Sequence, residues 1–193
     1  MNRPDQQRPK PGLVRPIFAG VLIGGASTRM GRSKAFLELG GVTFVQRVIT
    51  AVRDHVERIV FLGDGSVPPV DPDIERLSDA PDVPGPLGGI LAALRWRRDT
   101  CWLIAACDLP MLQPAAMRWL LEQRRRERWA ILPRTASGHV EPLSAVYEPR
   151  SLELLETRNV LGAFVANLRG IQVQSLEIWQ IDNRCDVFVA DSI

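Results

Sequence analysis

Residues 17–23, Ile-Phe-Ala-Gly-Val-Leu-Ile, are apolar without interruption and run directly into Gly24-Gly25. A short segment with no polar alternation reads as a strand covered on both faces, which demands packing layers above and below a sheet. The same signature returns at Arg58–Leu62, ended by Gly63-Asp64-Gly65, and at Cys101–Cys107, ended by Asp108-Leu109-Pro110. Between these runs lie helical spacings. Thr43, after the Gly40-Gly41 turn, is placed to cap a helix carrying Phe44, Val45, Val48, Ile49 and Val52. A second helix is expected from Leu87 to Trp96, and a third opens at Pro114 with Met117, Leu120 and Leu121 as its stripe. Further strands are expected at Trp129–Leu132, Pro142–Tyr147 and Ile171–Leu176. Helices are expected at Ser151–Glu156, Leu161–Leu168 and in a tail after Asn183. Val67–Pro72 and Asp79–Gly85 read as irregular connections. Strands alternating with helices through short links predict an α/β chain: three layers, with a mostly parallel sheet covered by helices on both faces.

The 193 residues suit one domain, expected at 17–193 behind a disordered tail at 1–16. That tail, Met1–Pro16, is rich in Pro, Arg and Gln and has neither the apolar centre nor the cleavage pattern of a secretory signal. A net charge of +2 is too balanced to draw the chain to nucleic acid or to a membrane surface. No apolar run approaches the roughly 20 residues needed to cross a bilayer. Cys101, Cys107 and Cys185 have no metal-ligand spacing and are expected as reduced thiols of a cytoplasmic protein. Arg118, Arg124, Arg125, Arg126 and Arg128 read as a solvated helix face, and His55 and His139 take no role.

Ligands of such sheets bind beyond the carboxyl ends of the strands, where Gly24, Gly63 and Asp108 all fall. The loop after the first strand reads Gly24-Gly25-Ala26-Ser27-Thr28-Arg29-Met30-Gly31-Arg32-Ser33-Lys34. Its glycines let the backbone approach a ligand, and successive free N–H groups make a nest for phosphate oxygens. Arg29 and Lys34 add the cations a triphosphate requires. It is neither of the two commonest phosphate loops. Arg32-Ser33 separates Gly31 from Lys34, which breaks the P-loop pattern, and no Gly-x-Gly-x-x-Gly can be written.

The string Gly-Gly-x-Ser-x-Arg-Met-Gly-x-x-Lys resembles the signature of the MobA-like nucleotidyltransferases, above all the molybdenum cofactor guanylyltransferases. The likeness continues through Ala35–Gly41, Asp79 with Pro84-Gly85-Pro86-Leu87-Gly88-Gly89, Cys107-Asp108-Leu109-Pro110 and Glu141-Pro142-Leu143. The resemblance implies a Rossmann-like nucleotidyltransferase fold and a Mg²⁺-dependent transfer of GMP from GTP to molybdenum-molybdopterin, releasing pyrophosphate. It implies Leu22, Ile23 and Gly24 against base and ribose, and Lys34 on the phosphates. It further implies Asp79 holding the nucleotide and Asp108 binding both nucleotide and Mg²⁺. Catalysis would rest on Arg29, Lys34 and Asp108. Molybdoenzyme apoproteins or cofactor-handling proteins are the transient partners it suggests.

The sequence departs from the family at several places. Ile23 stands where Ala is usual, which is expected to narrow the base pocket, and Ser33 replaces the Asp before the lysine. Leu62-Gly63-Asp64 lacks a customary Asn. Gln180-Ile181-Asp182-Asn183-Arg184-Cys185-Asp186 stands in for Asn-x-Asn-Thr-Pro-Glu-Asp, leaving Asp182 as a further carboxylate for a metal. Two alternatives stay open: a cytidylyltransferase acting on the same cofactor or a sugar phosphate, and a non-catalytic GTP-binding accessory protein.

Overall fold

A computed structural model describes residues 15–24, 33–81, 83–134, 140–156 and 187–191. The elements run β1 (Ile17–Leu22), a 3-10 turn (Lys34–Phe36), β2 (Glu38–Leu39), β3 (Val42–Thr43), α1 (Phe44–Arg53), β4 (Arg58–Leu62), β5 (Glu75–Leu77), α2 (Pro86–Trp96), β6 (Cys101–Ala106), α3 (Pro114–Glu122), β7 (Arg128–Pro133), β8 (Ser144–Tyr147), α4 (Ser151–Glu156) and β9 (Val187–Asp191). Among the described residues, seven strands form one sheet in the order β5-β4-β1-β6-β8-β7-β9, while β2 and β3 make a separate hairpin. β5, β4, β1 and β6 are mutually parallel; β8 is inserted antiparallel against β6, and β7 and β9 continue antiparallel beyond it. The expected three-layer arrangement is present, with the parallel set where the site lies.

The apolar runs still obey the strand period of two. Ala19 and Val21 of β1, Ile59 and Phe61 of β4, and Leu103 and Ala105 of β6 face the layer of α1 and α3. Phe18, Leu22, Val60, Leu62, Trp102 and Ile104 face the layer of α2 and α4. Full burial of each large apolar side chain contributes roughly 1.5–3 kcal/mol, so both faces are strongly specified. Thr43 caps α1 in a reciprocal box: its hydroxyl accepts from the Gln46 N–H, and the Gln46 side-chain oxygen accepts from the Thr43 N–H. At the amino ends of β1 and β6, Phe18 meets Trp102 edge-on at 5.7 Å, and Trp96 of α2 lies 6.2 Å from Trp102 at a 47° tilt.

Three expectations need correction. The described part of the expected tail helix is strand β9, paired with β7. β5 was not foreseen, because its exposed Glu75 and Arg76 on the sheet edge carry no apolar signal. The arginines are not one solvated face: Arg118 lies in α3, but Arg124 follows the helix and its side chain is only 9% exposed. It makes two contacts, at 2.6 and 3.3 Å, with the Glu148 carboxylate, itself 6% exposed. Cys101 and Cys107 are buried free thiols, and burial pushes the Cys107 thiol up to about 12. The expected elements at 161–168 and 171–176, most of the tail at 1–16, Cys185 and His139 lie outside the described residues.

Candidate active site

The parallel ladder brings the ends of β1, β4 and β6 level. Beyond Leu22, the Ile23 N–H donates to the Leu62 carbonyl at 2.9 Å, and the Cys107 N–H donates to the Leu22 carbonyl at 3.0 Å. Gly63, at φ +98°, turns the chain after β4 and donates to the Leu77 carbonyl at 2.8 Å. Leu22 and Ile23 bury their side chains in opposite core layers, 5% and 3% exposed. A ligand at these positions therefore meets backbone. The expected narrowing of a base pocket by Ile23 does not occur, because its bulk fills the layer of α1 and α3. Gly24 is exposed at the rim.

Asp79 stands in a nook lined by glycines. A Cβ on Gly89 would come within 3.2 Å of one Asp79 carboxylate oxygen, and a Cβ on Gly63 within 3.4 Å of the same oxygen. A Cβ on Gly24 would approach the other oxygen to 3.5 Å, and one on Gly88 would reach Asp79 Cβ at 3.1 Å. Gly88 also sits against the Val83 carbonyl oxygen, 2.6 Å from where its Cβ would be. Two helical glycines at the start of α2 are thus explained by close approach. Gly85 turns into α2 at φ +75°, ahead of Pro86 in its first turn. Burial, then the charge of Asp64, holds the Asp79 carboxyl above its ordinary range. Asp64 in turn accepts from the Ser78 hydroxyl at 2.7 Å.

Lys34 and Asp108, 74 residues apart, meet beyond β6 with Nζ 2.7 Å from Oδ2. Lys34 opens the 3-10 turn, whose Ala35 is fully buried and whose cap is the Ser33 hydroxyl, accepting from the Ala35 N–H at 3.4 Å. Ser is among the preferred capping residues, which suits Ser33 to this place. Asp108 follows β6, whose last N–H, on Ala106, donates to the Leu143 carbonyl at 2.8 Å.

That bond draws the lead-in to β8 against the site, and with it Glu141. In the sequence Glu141 stands only as part of the Glu141-Pro142-Leu143 string; a carboxylate just before Pro at a strand's approach is the signal it carries. Burial raises the Glu141 carboxyl above its ordinary range, the Leu143 N–H lowers it, and the charge of Asp108 raises it further. A folded-state value above the unfolded one means the folded chain binds more protons through the carboxylate range, so this group loses stability as pH rises through it. Glu141→Gln, which keeps an acceptor for Leu143, is expected to raise the melting temperature at pH 7. Its advantage should shrink as pH falls toward 4, as a melting series in both proteins would record. Arg29 and Asp182 lie outside the described residues, whereas Leu22, Ile23, Gly24, Lys34, Asp79 and Asp108 all border this end of the sheet.

Residues 19–171 match the family of the MobA-like NTP transferase domain. A probable molybdenum cofactor guanylyltransferase of Pelotomaculum thermopropionicum is 32% identical over 70% of this chain and 65% of its own length. A molybdenum cofactor biosynthesis bifunctional protein of Synechocystis sp. is 28% identical over 89% of this chain and 50% of its own. The chain thus spans between half and two thirds of these relatives. Among solved structures, molybdopterin-guanine dinucleotide biosynthesis protein A of Archaeoglobus fulgidus superposes with a TM-score of 0.59 at 24% identity, covering 79% of each chain. A nucleotidyl transferase of Methanothermobacter gives 0.57 at 19% identity, over 81% of this chain and 84% of that one. These two likenesses concern the fold.

Proposed function

The chain belongs to the MobA-like NTP transferase family, and on that premise we propose that it transfers GMP from GTP to molybdenum-molybdopterin, releasing pyrophosphate. The observation that carries the reading is the Lys34–Asp108 contact at the carboxyl end of β6, beside the glycine-lined Asp79. In this reaction a terminal phosphate oxygen of the acceptor attacks the α-phosphorus of GTP, and the bond to the bridging oxygen of the pyrophosphate breaks. Charge builds on the α-phosphate and the leaving group, so positioned cations supply much of the catalysis.

Lys34 carries its ammonium on a turn anchored by buried Ala35, ready to donate to phosphate oxygens. Arg29, from the same loop, adds a second cation. Backbone at Leu22, Ile23 and Gly24 lies against base and ribose, and Asp79 orients the nucleoside from its nook. A divalent metal fits at Asp108, because a hard cation takes one or two carboxylates and completes its shell with phosphate oxygens and water. Asp108 would hold Mg²⁺ there, and the ion would supply positive charge to offset the negative charge that builds in the reaction.

With Mg²⁺ present, GTP at about 100 times its Kd is expected to stabilise the chain by about 2.7 kcal/mol, or roughly 5–10 °C in Tm. CTP, ATP and UTP at equal concentration should give smaller shifts. The motive for guanine is Leu22-Ile23-Gly24-Gly25. A larger shift with CTP would replace guanine by cytosine, and binding of GTP without pyrophosphate release on supplying acceptor would leave an accessory protein. Chemistry of this kind belongs to a cytoplasmic biosynthetic enzyme. Among the described residues no helix is long and apolar enough to cross a membrane.

A further inference from the structure

The Lys34–Asp108 bond couples the binding of metal and nucleotide, a consequence that rests on the proposed nucleotide reading. The 2.7 Å contact joins the group that takes phosphate to the group that takes metal. Their side chains are 39% and 22% exposed, so both remain within reach of incoming ligands. We infer that Lys34 and Asp108 hold each other as stand-ins for their ligands, so that metal and triphosphate each displace the other's partner and bind cooperatively.

Metal alone must compete with the ammonium for the Asp108 carboxylate and then lies beside a displaced cation. Triphosphate alone must draw Lys34 away and then brings several negative charges against an Asp108 stripped of its counter-charge. Glu141, whose carboxyl feels the charge of Asp108, adds to that repulsion. When both ligands arrive, the metal meets Asp108, Lys34 meets phosphate, and every charge regains an opposite neighbour. By linkage, the factor by which metal tightens triphosphate equals the factor by which triphosphate tightens metal. This coupling belongs to the protein and adds to the chelation of metal by triphosphate in free solution. Water screens a partly exposed pair, which keeps each single-ligand effect to roughly fivefold or less.

The inference predicts that breaking the pair strengthens binding of the single ligands. Asp108→Asn should bind GTP in EDTA about fivefold more tightly than wild type by calorimetry, since Lys34 is released and the repelling charge is gone. Lys34→Met, which keeps the stem and loses the charge, should bind Mn²⁺ without nucleotide about fivefold more tightly, as counted by the resonance signal of free Mn²⁺. Both gains together support the stand-in pair. If either variant binds its single ligand no more tightly than wild type, the pair does not set this competition. The two readings fail differently. Wild-type protein that binds GTP with Mg²⁺ normally, while neither variant gains, sinks only the stand-in pair. Wild-type protein that ignores GTP with Mg²⁺ present removes the nucleotide reading, and the stand-in pair with it.

Discussion

Asp108→Asn is expected to slow pyrophosphate release by about 100-fold or more, the scale on which losing a transition-state charge partner acts. Asparagine fills the same volume and keeps one carbonyl oxygen, so the turn after β6 and the Ala106–Leu143 bond should persist. What disappears is the carboxylate charge with which Asp108 would hold a metal as negative charge grows in the reaction. GTP in the presence of Mg²⁺ should lose much less affinity than rate, because under the proposed reading Lys34, Asp79 and the backbone beyond β1 would still meet the nucleotide. A single-turnover measurement across a Mg²⁺ titration separates the two quantities. A rate within tenfold of wild type, at an unchanged Mg²⁺ midpoint, would take Asp108 out of the metal's surroundings.

Glu148→Ala should produce the largest loss of stability of any single change considered, about 3–5 kcal/mol, because it leaves the Arg124 guanidinium buried without its counter-charge. For a chain of this size that is a fall of roughly 6–20 °C in Tm. The geometry warrants the upper class of effect. Arg124 grips both carboxylate oxygens, and the Glu148 backbone is fixed by donating to the Trp129 carbonyl at 2.8 Å and accepting from the Ser151 N–H at 2.8 Å. The pair therefore ties the exit of α3 to the junction of β8 and α4. Replacing both partners, as Arg124→Met with Glu148→Leu, should recover much of the loss, since apolar groups of similar volume need no counter-charge. GTP affinity measured below the transition should be unchanged in both variants. Tyr147 pairs with Trp102 near the start of β6, whereas Asp108 lies past its end. A double replacement as unstable as the single one would assign the effect to lost packing.

The central strands were legible because burial on both faces leaves a continuous apolar run, and because a glycine or aspartate must end it where the chain turns into the site. Gly24, Gly63 and Asp108 could be read for that reason. The direction of β8 could not: an apolar run has no sign, and only the hydrogen bonds to β6 reveal that it runs antiparallel. Arg124 misled because a crowd of arginines is usually solvated, and the carboxylate that buries it lies 24 residues further on. Ile23 misled for a different reason. Its likeness to a family position suggests a side chain lining a pocket, but which layer receives that side chain follows from counting by twos along β1. Asp79 sits in ordinary loop chemistry, and its constraint appears only when glycines from beyond β1, beyond β4 and from α2 close around it.

Trp96 and Trp102, with ring centroids 6.2 Å apart, give the chain a built-in optical gauge. Two indoles at that spacing and tilt couple their strong far-ultraviolet transitions, and the dichroic couplet from this pair is lost when α2 leaves β6. The pair lies at the opposite end of β6 from Asp108. Read on nucleotide-free protein, the couplet reports the integrity of the scaffold, and a variant that has lost its grip on nucleotide can be sorted in the cuvette from one that has lost its fold.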